Sequence, residues 1–169
     1  MRGIKMNKER TGLLILTVLL SLAFAVSIVY ATSASGWGAN NPDVFYSIYV
    51  GNLHYDASQQ VTRSDHSVYL YNDSEDRDIG YEYTFSQMVD WNHVNIIEGN
   101  GTLGPGGSFS ESTTVVVGVG DLPANTYRLD AYTEIKFWDK DIQIIDDYRV
   151  DDYIYFNNCL LYTSPSPRD

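Results

Sequence analysis

From Thr126 to Trp138 the chain reads TYRLDAYTEIKFW, and side chains of opposite character take turns along it. Tyr127, Leu129, Ala131, Thr133, Ile135 and Phe137 fall on one side; Arg128, Asp130, Glu134 and Lys136 fall on the other. Successive side chains of an extended strand point to opposite faces, so a period of two describes a sheet with one dry face. A helix would need a period of 3.6 instead. The same alternation runs through Val44–Val50, through Ser67–Tyr71 (Val68 and Leu70 inward), and through Ile79–Phe85 (Ile79, Tyr81, Tyr83 and Phe85 together). It returns in Ser108–Val119, with Phe109, Thr113, Val115, Val117 and Val119 in register. Trp91–Ile97 reads as a further strand closed by Glu98-Gly-Asn-Gly101, where Asn-Gly is a hairpin signal. Asp139-Lys-Asp141 turns the chain back into Ile142–Ile145, and Tyr148–Phe156 continues it. The expectation is all-β: roughly seven short strands, no amphipathic helix, and an antiparallel two-sheet sandwich.

The N-terminal region has a different composition. Lys5, Lys8 and Arg10 precede the uncharged run Leu13–Ala31, followed by the small residues Thr32-Ser-Ala-Ser-Gly36. A basic flank, an apolar stretch and small residues predict export, as a signal peptide cut after Ala31 or Ala34 or as a retained membrane anchor. The run reaches the length at which a spanning helix is the default reading, and the basic flank keeps the remainder outside. The domain division that follows is 1–31 signal peptide or anchor (one hydrophobic helix), 32–42 linker, and 43–158 sandwich. Localisation is expected to be extracellular or at the cell surface, with membrane contact only through the N-terminal segment.

The C-terminal stretch Cys159–Asp169 (CLLYTSPSPRD) resembles the translation of an adapter used in transposase-based sequencing libraries. That resemblance implies a non-native tail and a sandwich truncated at its C-terminal end. It also implies that the single cysteine supports no disulfide, metal or thiol chemistry.

Residues 32–158 hold six basic and twenty acidic groups, a net of −14 against −11 for the whole chain. Such a surface repels phosphate backbones, which excludes nucleic acid as a partner class.

The segment Leu122-Pro-Ala-Asn-Thr-Tyr-Arg-Leu-Asp-Ala131 resembles the turn into the penultimate strand of immunoglobulin-like and fibronectin type III-like modules. Gly104-Pro-Gly-Gly-Ser-Phe-Ser-Glu-Ser-Thr-Thr-Val-Val is similar to a strand of prokaryotic cell-surface modules, such as the cell-adhesion-related domain found in bacteria. The resemblance implies a seven-stranded immunoglobulin-like sandwich in which Tyr127 bonds back across a corner. Arg10-Thr-Gly12 before Leu13-Leu-Ile-Leu also resembles a prepilin-type cleavage site, which implies a filament subunit like archaeal pilins or archaellins.

Catalytic patterns are missing. Gly99-Asn-Gly-Thr-Leu-Gly104 matches GxGxxG, but Pro105-Gly-Gly107 follows where a phosphate-binding helix would have to start, so it reads as a turn. His54, His66 and His93 lie on separate segments without ligand spacing and are expected at surface or edge positions. No enzyme and no obligatory cofactor are expected. Calcium is the one candidate ion, with Asp73, Glu75, Asp76 and Asp78 as ligands because hard oxygens crowd that loop. Tyr69, Tyr71, Tyr132 and Trp138 fall opposite the apolar faces and are candidate contacts for proteins or glycans. Asn72-Asp-Ser74 and Asn100-Gly-Thr102 are glycosylation sequons in expected turns.

Three functions compete. One is a non-catalytic structural or adhesive module of a cell-envelope protein, meeting other envelope proteins or neighbouring domains. The second is the filament subunit. The third is a glycan- or calcium-binding accessory module of a longer exported enzyme.

Overall fold

The computed structural model describes residues 31–156. The hydrophobic segment expected to be helical, apart from Ala31, and the tail 159–169 lie outside them. The chain forms β1 (Thr32–Trp37), β2 (Val44–Asp56), β3 (Val61–Asn72), β4 (Ile79–Val89), β5 (Asn92–Leu103), β6 (Ser108–Gly118), β7 (Arg128–Asp139) and β8 (Ile145–Tyr155). Two four-stranded antiparallel sheets result, ordered β1-β2-β3-β6 and β5-β4-β7-β8. The all-β sandwich is therefore present, with eight strands among the described residues rather than seven. The additional one lies in the stretch expected as a linker: Thr32–Trp37 pairs in full register with Val50–Phe45. Its alternation is of small residues against serine, too weak in apolar contrast to read as a strand.

Each sheet turns its apolar rows inward. Ile48, Val50, Val68, Leu70, Val115 and Val117 from the first meet Ile79, Phe85, Leu129, Ala131, Ile135 and Phe137 from the second. Burial of side chains of this size contributes about 1.5–3 kcal/mol each. Tyr127, expected on the same row, precedes β7 and is exposed. The resemblance-based corner tyrosine is therefore not tucked in.

Asn100-Gly101 is not a hairpin. It lies inside β5, where Tyr83 and Tyr81 stand opposite Gly99 and Gly101. A Cβ on either glycine would collide with the facing tyrosine ring. The glycines of this edge strand thus make room for the rings, which cover the bare backbone in return. Phe109 of β6 packs on both tyrosines, at centroid distances of 4.6 and 5.4 Å, and closes that side of the sandwich. The hairpin itself turns at Asp90-Trp91, both at positive φ (49° and 66°), as a two-residue turn that follows the strand twist requires.

His66 is fully buried, contrary to the expected surface position. It belongs to a polar chain through the core. Thr62 Oγ1 donates to Gln87 Oε1 (2.7 Å). Gln87 Nε2 donates to Ser64 Oγ (3.0 Å) and to the Val115 carbonyl (2.9 Å). Thr133 Oγ1 donates its one proton to the Tyr49 carbonyl (2.8 Å), so it accepts from His66 Nδ1 (2.9 Å). His66 Nε2 is then left to accept from Ser64 Oγ (2.7 Å). Every polar atom of the neutral ring is satisfied.

At one end, buried Asp146 accepts from the backbone N–H groups of Asn40 (3.0 Å) and Asn41 (2.8 Å) and from Asn41 Nδ2 (2.8 Å). This carboxylate pins the β1–β2 connection onto β8.

Two predictions follow from these buried groups. Burial pushes His66 down to about 4, against the opposing pull of Asp65. The unfolded chain takes up that proton near pH 6.5, so the neutral ring's contribution is complete above 6.5 and disappears as pH falls toward 4. The loss is about 3 kcal/mol. Urea unfolding at stepped pH should show this component in the native sequence and not in His66→Gln. Asp146→Ala should cost about 3 kcal/mol, because five hydrogen-bond donors, the Tyr148 hydroxyl the most distant, lose their acceptor; the urea midpoint at pH 7 measures it.

Candidate functional site: two unlike outer faces

The strand register lays out the outward rows of the first sheet. Trp37, Phe45, Tyr71 and Ser108 share one row; Ser35, Ser47, Tyr69 and Ser110 share the next; Ser33, Tyr49, Ser67 and Ser112 share the third. No carboxylate, guanidinium or ammonium occurs in these three rows; the charges of this face begin in the rows beyond, with Asp65 opposite Gly51 and Thr114 and then Arg63 opposite His54 and Val116. Trp37 meets Phe45 edge-on at 5.5 Å, and Phe45 meets Tyr69 at 6.4 Å, so the rings form a band across three strands. Trp37 and Tyr69 are 52% and 37% exposed. Acidic residues outnumber basic ones two to one in the whole chain, which makes an uncharged patch of three rows an exception on its surface.

The outer face of the second sheet is the opposite. Glu82, Lys136 and Asp147 align in one row, Glu134 and Arg149 in the next. Lys136 pairs with Glu134 (2.5 Å) and Asp147 (3.9 Å), and Arg149 with Asp151 (2.6 Å). Pairs this exposed add little stability each, but they occupy the face with charge.

The expected contact residues divide between these faces. Tyr69 and Tyr71 lie on the uncharged face, where parity put them. Trp138 lies across Gly80 on the charged face, 2.6 Å from where a Cβ would stand. Tyr132 also points outward but is buried, because the Arg149 guanidinium covers its ring at 3.8 Å and Ser86 and His93 flank it. It offers no surface. Trp37 and Phe45 were missed: Trp37 fell in the stretch read as linker, and Phe45 has the parity of an outward residue in a run read only as a strand.

Asp73, Glu75, Asp76 and Asp78 stand in the β3–β4 connection but are not gathered. Among the described residues no three metal-ligating side chains converge. Asp73 accepts from the Tyr71 hydroxyl (3.1 Å). The cation of the loop is Arg77, which pairs with Asp43 and with Asp139 (3.3 Å).

Asn72 is fully buried. Its Nδ2 donates to the carbonyls of Arg77 (2.8 Å), Gly104 (3.1 Å) and Leu103 (3.3 Å), and its Oδ1 accepts from Ser74. The folded chain has no room for a glycan there: the sequon's asparagine and serine make the turn. Asn100 is exposed, on β5 rather than in a turn.

No family model matches the chain, and no curated protein matches it. Among solved structures it is similar to a putative ApaA protein from Bordetella pertussis (10% identity, 75% of this chain and 91% of that one, TM-score 0.35). It is also similar to a protein from Archaeoglobus fulgidus (11%, 76% and 96%, 0.35). A third is AT1g01470 from Arabidopsis thaliana (14%, 78% and 87%, 0.35). Likenesses this loose bear on neither ligand nor activity.

The scattered carboxylates generate a prediction. Calcium and magnesium at equal ionic strength should shift the thermal midpoint by the same small amount, since only general screening acts on separated charges. A calcium-specific rise of more than about 4 °C, roughly 1 kcal/mol for a domain this size, would show a site that these side chains do not form at rest.

Proposed function

We propose that this chain is a non-catalytic extracellular module of a secreted or membrane-anchored cell-envelope protein, structural or adhesive, whose partner meets the outer face of the first sheet. The observation that carries the reading is the uncharged patch of serine and aromatic residues, three rows deep, on an otherwise acidic chain. Aromatic rings with serine between them give large contact area and adaptable hydrogen bonding at low entropy cost. Approach elsewhere sets the partner against carboxylates; approach here costs no desolvation of charge. The immunoglobulin-like resemblance is supported by the connectivity of β2–β8, in which β3–β4, β5–β6 and β6–β7 each cross between the sheets.

A filament subunit is the second reading, and the same face favours it. Copies of one acidic chain repel one another everywhere except where charge is lacking. Terminal sequencing of the exported protein separates the two: a mature start at Leu13 supports the filament, and one at Thr32 or Ser35 the secreted module.

The test of the face is binding of purified protein to envelope fragments of the producing cell. Phe45→Glu and Tyr69→Glu should each weaken it by about tenfold or more, the cost of burying one unpaired carboxylate. Glu82→Lys on the other sheet should leave it unchanged. Equal binding by all three variants would refute the proposal.

A further inference from the structure

Beside the β4–β5 turn, on the side away from the uncharged face, lies a groove of about 580 Å3. Trp91, Tyr127 and Tyr153 stand around it, 85%, 58% and 50% exposed. Between them lie Arg128 with Asp130, and Arg149 with Asp151. The volume falls in the range of pockets that take small organic ligands rather than single ions.

The chemistry of the walls narrows the ligand. Arg128 Nε donates to Asp130 Oδ1 (2.9 Å), and Arg149 Nε to Asp151 Oδ1 (2.8 Å). Both guanidinium groups lie over rings, Arg128 over Tyr153 at 4.5 Å and Arg149 over Tyr132 at 3.8 Å. The charges are thereby held in place and largely compensated. An anion would meet Asp90, Asp130 and Asp151; a cation would meet two guanidinium groups. Each pair still offers free N–H donors and a second carboxylate oxygen. Fixed donors and acceptors between exposed flat rings suit a neutral ring with apolar C–H faces and hydroxyls at its edge.

The turn adds an independent sign. Trp91 sits at φ 66°, in the left-handed region where a bulky residue costs about 1–2 kcal/mol and glycine or asparagine is usual. With 85% of its surface exposed, packing does not require the indole there. Strain kept at an exposed position is a sign of use.

We propose that this groove binds a short neutral oligosaccharide, stacked on Trp91 and Tyr153 and hydrogen-bonded by the Arg128–Asp130 and Arg149–Asp151 pairs. The site does not rest on the adhesive reading above, because it uses the other sheet and other residues. The test titrates the full chain with cellohexaose, chitohexaose and mannohexaose, with hexagalacturonate as the anionic control, by calorimetry and tryptophan fluorescence. At least one neutral hexasaccharide should bind, and Trp91→Gly and Tyr153→Ala should each weaken it about tenfold or more, as for a lost stacking ring. Trp91→Gly should at the same time hold or raise the thermal midpoint, since it relieves the turn, and Trp37→Ala should leave sugar affinity unchanged. The proposal is overturned if no neutral hexasaccharide binds, if Trp91→Gly binds as well as the native chain, or if hexagalacturonate binds more tightly than all three.

Discussion

The relative position of the two sheets is fixed by a line of hydrogen bonds through an otherwise apolar core: Thr62, Gln87, Ser64, His66 and Thr133, ending on the Tyr49 carbonyl. Apolar burial is non-directional and roughly proportional to area, so it sets the register of one sheet on the other less sharply than a hydrogen bond does. A buried donor without its acceptor is not, because it costs roughly 1–3 kcal/mol. Thr62, Ser64 and His66 belong to the first sheet, Gln87 and Thr133 to the second, so a shift in packing breaks several bonds together. The chain works in one direction of proton donation only, which requires the imidazole to be neutral. Specificity of packing and sensitivity to acid therefore have one origin.

With the sheets locked face to face, the period-two alternation that filled the core also fills the two outer faces, and these carry different chemistry. One carries three uncharged rows of serine and aromatic residues before Asp65 and Arg63 follow on β3; the other is a lattice of ion pairs that buries Tyr132 beneath Arg149. The second opens, at its end, into the groove beside Trp91. The polar ends of the sandwich have a structural use instead: Asp146, Asn41, Asn72 and Arg77 hold connections in place.

The fold class was legible because alternation is a local property and the strands repeat it. Boundaries and turns were less so. Asn100-Gly101 has the composition of a hairpin but sits in a strand, because Tyr81 and Tyr83 need bare backbone opposite them; a ring's demand for space is written in another strand. The true turn at Asp90-Trp91 carries a tryptophan in a conformation that tryptophan disfavours, so its composition concealed it. Thr32–Trp37 has too little apolar contrast to announce itself, yet it pairs along its whole length. The sequon at Asn72 was visible as a pattern, but the three carbonyls that occupy its amide come from Arg77, Leu103 and Gly104 and meet only after folding.

By itself the sequence determined that the chain builds sheets with one dry face each, that residues 32–158 are acidic, and which side chains of one strand share a face. Those properties depend on side-chain parity and on charge, which are additive along a chain. Only the tertiary structure decided which outward rings remain open, that His66 is buried and neutral, and that the carboxylates of the β3–β4 connection stay apart while the rings beside Trp91 come together. Burial and convergence depend on strand order and on which face a crossover joins, and residues far apart in sequence set both.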